Sequence, residues 1–256
     1  MSWGADLSAE RDTGIGGGLM SAVDDGLDLT VDAHVHTGFS AGRDSVGVVV
    51  SAADQAGLTA VTFADQAGPE TTWLGAYADA VRRARRRTEM TLRVAAEVEI
   101  VRPDGWLAWP ADLAPLEAVS VAVSRLPLAD GPVGPRDVRA LLAASELTPE
   151  QVAETVIDAT VRGLERASRY APTQLARPLG LLAQVGLDDA VVTPDMLVAL
   201  TDACRQNGTV VEVSEAWRSP SARLLAMLRA AGVTLVAASD ARYAAEVGRW
   251  QYLRRV

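Results

Sequence analysis

The 256-residue sequence has no lysine, one cysteine (Cys204), two phenylalanines and two histidines. Each scarcity removes a class of chemistry. Without lysine there is no Schiff base or amine nucleophile. One cysteine closes no internal disulfide and builds no cysteine-rich zinc site, so nothing calls for an oxidising compartment. With only two histidines, both committed to one His-x-His, a serine-hydrolase triad is not expected. The net charge of −9 leaves no surplus cation to track a phosphate backbone, so no nucleic-acid partner is expected. No apolar run reaches the roughly 20 residues of a membrane-spanning helix. Met1 to Gly26 lacks the basic region and apolar stretch of a signal peptide. The expectation is therefore a cytoplasmic protein with no membrane partner.

What is present is an alternation. Residues 1–27, rich in Gly, Asp and Ser, read as a flexible leader. Their Gly14–Gly18 cluster has neither a preceding strand nor the Lys-Ser/Thr of a phosphate loop. From residue 28 to 256, short β-branched and apolar runs alternate with segments of helical spacing. The candidate strands are Leu29–His34, Ala60–Ala64, Leu92–Val98, Ala118–Val123, Leu179–Gln184, Thr209–Val213 and Thr234–Ala238. They are nearly continuous apolar runs, as parallel strands covered on both faces require. Candidate helices are Arg43–Ala56, Glu70–Arg87, Thr148–Tyr170 (opened by the capping box Thr148-Pro149-Glu150-Gln151), Pro194–Gln206 and a segment opened by Ser219-Pro220. Pro103–Pro115 and Asp130–Pro135 read as loops. The basic run Arg82–Arg87 reads as the solvated end of a helix. No composition break divides the chain. The pattern predicts one α/β domain, with a barrel and an open doubly wound sheet both compatible with it.

Polar residues cluster at the C-terminal ends of these strands, the edge where parallel α/β folds bind ligands. They are His34 and His36, Asp65 and Gln66, Glu97 and Glu99, Ser124 and Arg125, Gln184, Glu212, and Asp240 and Arg242. Both histidines lie in one His-x-His. On a strand, residues i and i+2 point to the same side, so two imidazoles can share one metal ion.

These residues bring a family into view. Asp32-Ala33-His34-Val35-His36-Thr37-Gly38-Phe39-Ser40 resembles the Asp-x-His-x-His-Thr-x-x-Ser opening of the PHP (polymerase and histidinol phosphatase) superfamily. Ala64-Asp65-Gln66 stands where that family has Thr-Asp-His, and Ala96-Glu97 where it has Gly-x-Glu. Leu182-Ala183-Gln184 is matched to its Ala-His-Pro, and Ser239-Asp240-Ala241-Arg242 to its Ser-Asp-Ala-His. Val211-Glu212-Val213-Ser214 falls between the last two. The resemblance implies a distorted (β/α)7 TIM-like barrel in which up to three metal ions activate water to cleave phosphate esters.

Several of the family's ligands are replaced: by Gln66, by Val123 or Ser124, by Gln184, by Arg242, and by Ala41 for an acidic residue. His34, His36, Glu97 and Asp240 remain. The resemblance implies that these four surround one metal position, so the losses mark a degenerate member. Three readings follow. In the first, one Zn2+, Mn2+ or Fe2+ at that position supports hydrolysis of a small phosphorylated metabolite. Arg242, Arg125, Gln66 and Gln184 would bind it, and Asp65 or Glu99 would be the general base. In the second, the protein is a pseudoenzyme, a scaffold or binder of an anionic small molecule, with arginine charge filling the metal site. In the third, the barrel performs non-hydrolytic chemistry on an anionic metabolite. Trp106, Trp109 and Trp217 are candidates for lining the pocket.

Overall fold

The computed structural model describes residues 26–255. The expected leader lies almost wholly outside them. Nine strands are described: Val31–Val35 (β1), Ala60–Ala67 (β2), Thr91–Glu99 (β3), Ala118–Ala122 (β4), Leu126–Leu128 (β5), Gly131–Val133 (β6), Thr173–Leu175 (β7), Val210–Ser214 (β8) and Leu235–Ala238 (β9). Seven of them form one parallel sheet in the order β1-β2-β3-β4-β7-β8-β9. The helices are Val46–Gln55 (α1), Leu74–Arg85 (α2), Pro135–Ala143 (α3), Pro149–Ala167 (α4), Gly180–Gln184 (α5), Pro194–Gln206 (α6) and Ala222–Ala230 (α7).

Local chemistry accounts for the helix starts. Thr148 accepts a hydrogen bond from the Gln151 N–H at 3.2 Å, and the Gln151 side chain accepts one back from Thr148 at 2.9 Å. With Pro149 at the first helical position, that box fixes the start of α4. Thr193 and Ser221 cap α6 and α7 in the same way. Each long helix buries one stripe, such as Val152, Val156, Ile157 and Leu164 of α4, against the sheet. All of β4 and β8 is buried, which explains why their sequences do not alternate.

The sheet nearly closes on itself. Val35 bridges Ala241 in parallel register just beyond β9. The His36 N–H donates to Ala241 O at 2.9 Å, and the Asp240 N–H to His34 O at 3.0 Å. Asp32, fully buried, ties the seam further by accepting from the Ser239 N–H at 2.9 Å. Burial pushes its carboxyl up to about 6, although the N–H groups around it pull the other way. The result is a nearly closed seven-stranded α/β barrel, with both histidines on the closing seam.

Two expectations are corrected. The fifth barrel strand is Thr173–Leu175, and Leu179–Gln184 instead contributes the short helix α5. Three residues, two of them polar, carry no periodic signal. Leu181 and Leu182 are apolar because α5 packs inward. The predicted loop Asp130–Pro135 contains β6, which pairs antiparallel with β5 as a small hairpin outside the barrel, followed by α3.

Gly42 closes the turn after β1 against the His36 backbone. A Cβ there would lie 2.7 Å from the carbonyl carbon and oxygen of His36. Those atoms belong to the seam and cannot yield freely. Gly42→Ala is therefore expected to cost about 1–3 kcal/mol. Urea titration measures this; a loss below about 0.5 kcal/mol would show that the turn relaxes.

Candidate metal centre

Parallel strands deliver their last residues to one rim, and here they deliver charge. β1 carries His34, and His36 lies just past the strand. β3 carries Glu97, β8 carries Glu212, and Asp240 follows β9. All five are at most 4% exposed. Among the described residues, one nitrogen from each histidine and one Glu97 oxygen all lie within 4.8 Å of one another, a grouping able to hold a metal ion. The two rings sit 4.8 Å apart.

The hydrogen bonds settle which atoms face inward. His34 Nδ1 pairs with Glu212 Oε1 at 2.6 Å, and the same oxygen accepts from Ser120 and Gln174. The carboxylate thus orients the ring and leaves Nε2 3.2 Å from Glu97 Oε2. His36 Nε2 pairs with Asp240 Oδ1 at 2.8 Å. His34 Nε2 has the Glu97 carboxylate beside it, and His36 Nδ1 is buried without a hydrogen-bond partner. Buried polar atoms are normally satisfied, so an unpartnered imidazole nitrogen in a buried histidine–carboxylate grouping fits a metal site. Burial alone would lower the His34 pKa. Glu212 foremost, with Glu97 and Asp240, overrides it and holds the imidazole well above its usual range. A proton and a cation are therefore alternative occupants of Nε2.

Sequence reasoning missed the residue at the centre of this cluster. Arg177 follows β7 and is 6% exposed. Its Nη1 donates to Glu97 Oε2 at 2.6 Å and to Asp240 Oδ2 at 3.2 Å. Its Nη2 donates to Glu97 Oε1 at 2.8 Å and to Ser124 Oγ at 3.0 Å. Trp217 flanks the group: its ring centroid is 5.2 Å from the guanidinium carbon, and its indole N–H donates to Asp240 Oδ2. Burial would raise both carboxyl groups. Arg177 and His34 hold Glu97 well below the carboxylate range, and His36, His34 and Arg177 do the same for Asp240. Arg177 and Asp240 both have left-handed backbones, with φ of 46° and 54°, conformations non-glycine residues seldom adopt outside constrained sites.

The strand correction moves one site residue. The stretch after β7 is Ala176-Arg177-Pro178, whereas Leu182-Ala183-Gln184 lies in α5. Gln184 ends α5, where its carbonyl accepts from Arg139. Arg242 is exposed, with its backbone N–H on Glu246, and takes no part in the hydrogen bonds of the cluster. The chain turns outward after Asp240 to form the seam, which carries Arg242 to the surface. Gln66 is exposed at the rim and donates to Glu97 Oε1 at 3.2 Å. Asp65 is engaged by the turn after β1, accepting from the Thr37 N–H and hydroxyl and from Ser40. Glu99 Oε1 accepts the Ser124 and Arg125 N–H groups, and burial raises its pKa. The Arg125 side chain is exposed beside it. Trp109 packs edge-on to Tyr170, and Trp106 lies under Arg166, so both serve the Pro103–Pro115 loop. Glu212, noted among the strand-end residues as a lone charge inside a fully buried strand, proves to be the partner of His34. Arg177, the missed residue, is a cation after a strand too short to notice.

The class defined by fold and site is a parallel seven-stranded α/β barrel with a histidine–carboxylate cluster at its mouth. One solved structure of similar fold is the putative histidinol phosphatase from Listeria monocytogenes, a PHP-type protein. It superposes with a TM-score of 0.68 over 86% of this chain and 97% of its own, at 11% identity. The fold is therefore PHP-like. An HpcH/HpaI aldolase from Desulfitobacterium hafniense covers 82% of this chain and 86% of its own at 12% identity, with a TM-score of 0.38. No protein-family model and no curated protein matches the sequence. Among the described residues no helix is long and apolar enough to cross a membrane.

With only two imidazoles, the His34 environment is directly measurable. Glu212→Gln removes the carboxylate that favours its protonated form, so the His34 pKa should fall toward the usual imidazole range. Nitrogen-detected NMR titration reads the His34 ring, and an unmoved His34 would contradict the assigned pairing.

Proposed function

We propose that this chain is a metal-dependent hydrolase of a small phosphoester, using one divalent ion held by His34, His36 and Glu97. The supporting observation is the buried grouping of His34, His36 and Glu97, whose ligand atoms lie within 4.8 Å of one another, with His34 already oriented by Glu212. Two histidines and a glutamate form a donor set known from catalytic zinc sites, which keep a position open for water. Zn2+, Mn2+ and Fe2+ all suit it. When bound, such an ion lowers the pKa of water and polarises a phosphoryl oxygen.

The protein groups have separable tasks in this reading. Glu212 fixes the His34 tautomer, and its loss would weaken metal binding about 10–100-fold. Asp240 and Trp217 hold His36 and the cluster wall. Gln66 and Arg125 stand at the open rim, where an amide and a guanidinium can take the oxygens of an anionic metabolite. Glu99 is the better candidate base. Both of its hydrogen bonds fall on Oε1, whereas Asp65 spends both oxygens on Thr37 and one also on Ser40. Arg242 and Gln184 have no part in this mechanism.

One observation favours a second reading, a catalytically silent barrel that binds an anionic small molecule: Arg177 already neutralises Glu97 and Asp240. The two readings separate on metal content. Protein purified without chelator should carry about one equivalent of transition metal and cleave a generic phosphomonoester. His34→Ala and Glu97→Gln should each lose at least about 100-fold in kcat/KM, near 2.7 kcal/mol of transition-state stabilisation. Protein that is metal-free, and that takes up neither Zn2+, Mn2+ nor Fe2+ on titration, leaves the silent binder.

A further inference from the structure

We propose that the Arg177 guanidinium is a built-in substitute for a metal cation, and that it limits the barrel mouth to a single ion. The inference rests on the metal-centre reading for that single ion, but not for the role of Arg177 itself.

Arginine has five N–H donors and no acceptor. The four on Nη1 and Nη2 go to Glu97 Oε1, Glu97 Oε2, Asp240 Oδ2 and Ser124 Oγ. An arginine that clasps a substrate phosphate presents its fork outward. This fork is 6% exposed, faces protein oxygens, and has the Trp217 ring beside it. It acts on the site and not on a ligand.

The acceptors themselves identify what it replaces. All four are oxygens: three from two carboxylates on opposite sides of the barrel seam, and one hydroxyl. Hard divalent cations take oxygen sets of this kind. Glu97 and Asp240 carry two negative charges in a buried space, and two such charges demand a cation between them. A guanidinium supplies one that never dissociates or deprotonates. The left-handed backbone at Arg177 is the means of delivery, turning the chain out of β7 so that the side chain reaches back across the mouth. An ion beside the histidines would have nitrogen donors. The Arg177 position has only oxygens, so it would accept Mg2+ or Mn2+ if the arginine were absent.

The test is metal stoichiometry, measured by plasma mass spectrometry after equilibration with Mn2+ and gel filtration, with circular dichroism to confirm folding. Wild type should carry about one equivalent. Arg177→Gln and Arg177→Ala remove the charge and should each gain about one more. Arg177→Lys keeps a charge in the same place and should stay at the wild-type count. If the neutral variants fail to fold alone, Mn2+ present during refolding should recover the native spectrum. Folded neutral variants with the wild-type count, a gain in Arg177→Lys, or no rescue by Mn2+ would each overturn the proposal. The outcome also separates this inference from the proposed hydrolase. A metal-free wild type whose neutral variants gain an ion keeps Arg177 as the substitute cation and removes the mononuclear enzyme. A wild type with one ion whose variants gain nothing does the reverse.

Discussion

Two buried carboxylates, Glu97 and Asp240, face each other across the mouth of the barrel, and the rest of the site is arranged to make that tolerable. Removing a carboxylate from water is costly, and leaving one without its partner typically costs about 3–5 kcal/mol. Arg177 bonds both carboxylate groups, His34 and His36 approach them from β1, and Trp217 donates to Asp240 from beyond β8. Glu212 sits behind His34, and Ser120 and Gln174 satisfy its front oxygen. Each charge is met by another, so no residue of the cluster can change without unbalancing its neighbours.

The charge cluster and the barrel closure are one construction. The backbone bonds that join β1 to the segment after β9 run through His34, His36, Asp240 and Ala241. Asp32 pins the same seam from inside. The imidazoles are therefore held by the strand pairing that completes the barrel, and their geometry does not depend on a surface loop. Gly42 lets the following turn fold down onto His36, and Asp65 anchors that turn through Thr37 and Ser40. A residue first read as a general base is thus part of the support. Gln66 and Arg125 are exposed at the rim of this construction.

Much of this was legible in the sequence, for physical reasons. Long apolar runs must be covered parallel strands, and His-x-His on a strand must place both rings on one side. Six barrel strands and the placing of His34 and His36 follow from those two rules, while Glu97 and Asp240 entered as polar residues at strand ends and as ligands that the family resemblance implied. What escaped notice depended on length and turning. Thr173–Leu175 is too short to show a period, while Leu179–Gln184 is apolar enough to pass for a strand although it packs as a helix. That one misreading hid Arg177 and promoted Gln184. Arg242 was misplaced for a different reason: sequence position after Asp240 says nothing of the outward turn that forms the seam. Glu212 was visible as a charge in an apolar strand, yet its partnership with His34 is a contact between β1 and β8 that spacing does not encode.

In the proposed reading the barrel mouth holds two cations of different kinds, one exchangeable ion at the histidines and one permanent guanidinium, Arg177, at the carboxylates. Anomalous diffraction from crystals equilibrated with Zn2+ tests this most directly. The account predicts a single peak within bonding distance of His34, His36 and Glu97, with Arg177 still paired to Glu97 and Asp240. No peak at the histidines, or a peak in the place of a displaced Arg177 side chain, would contradict it.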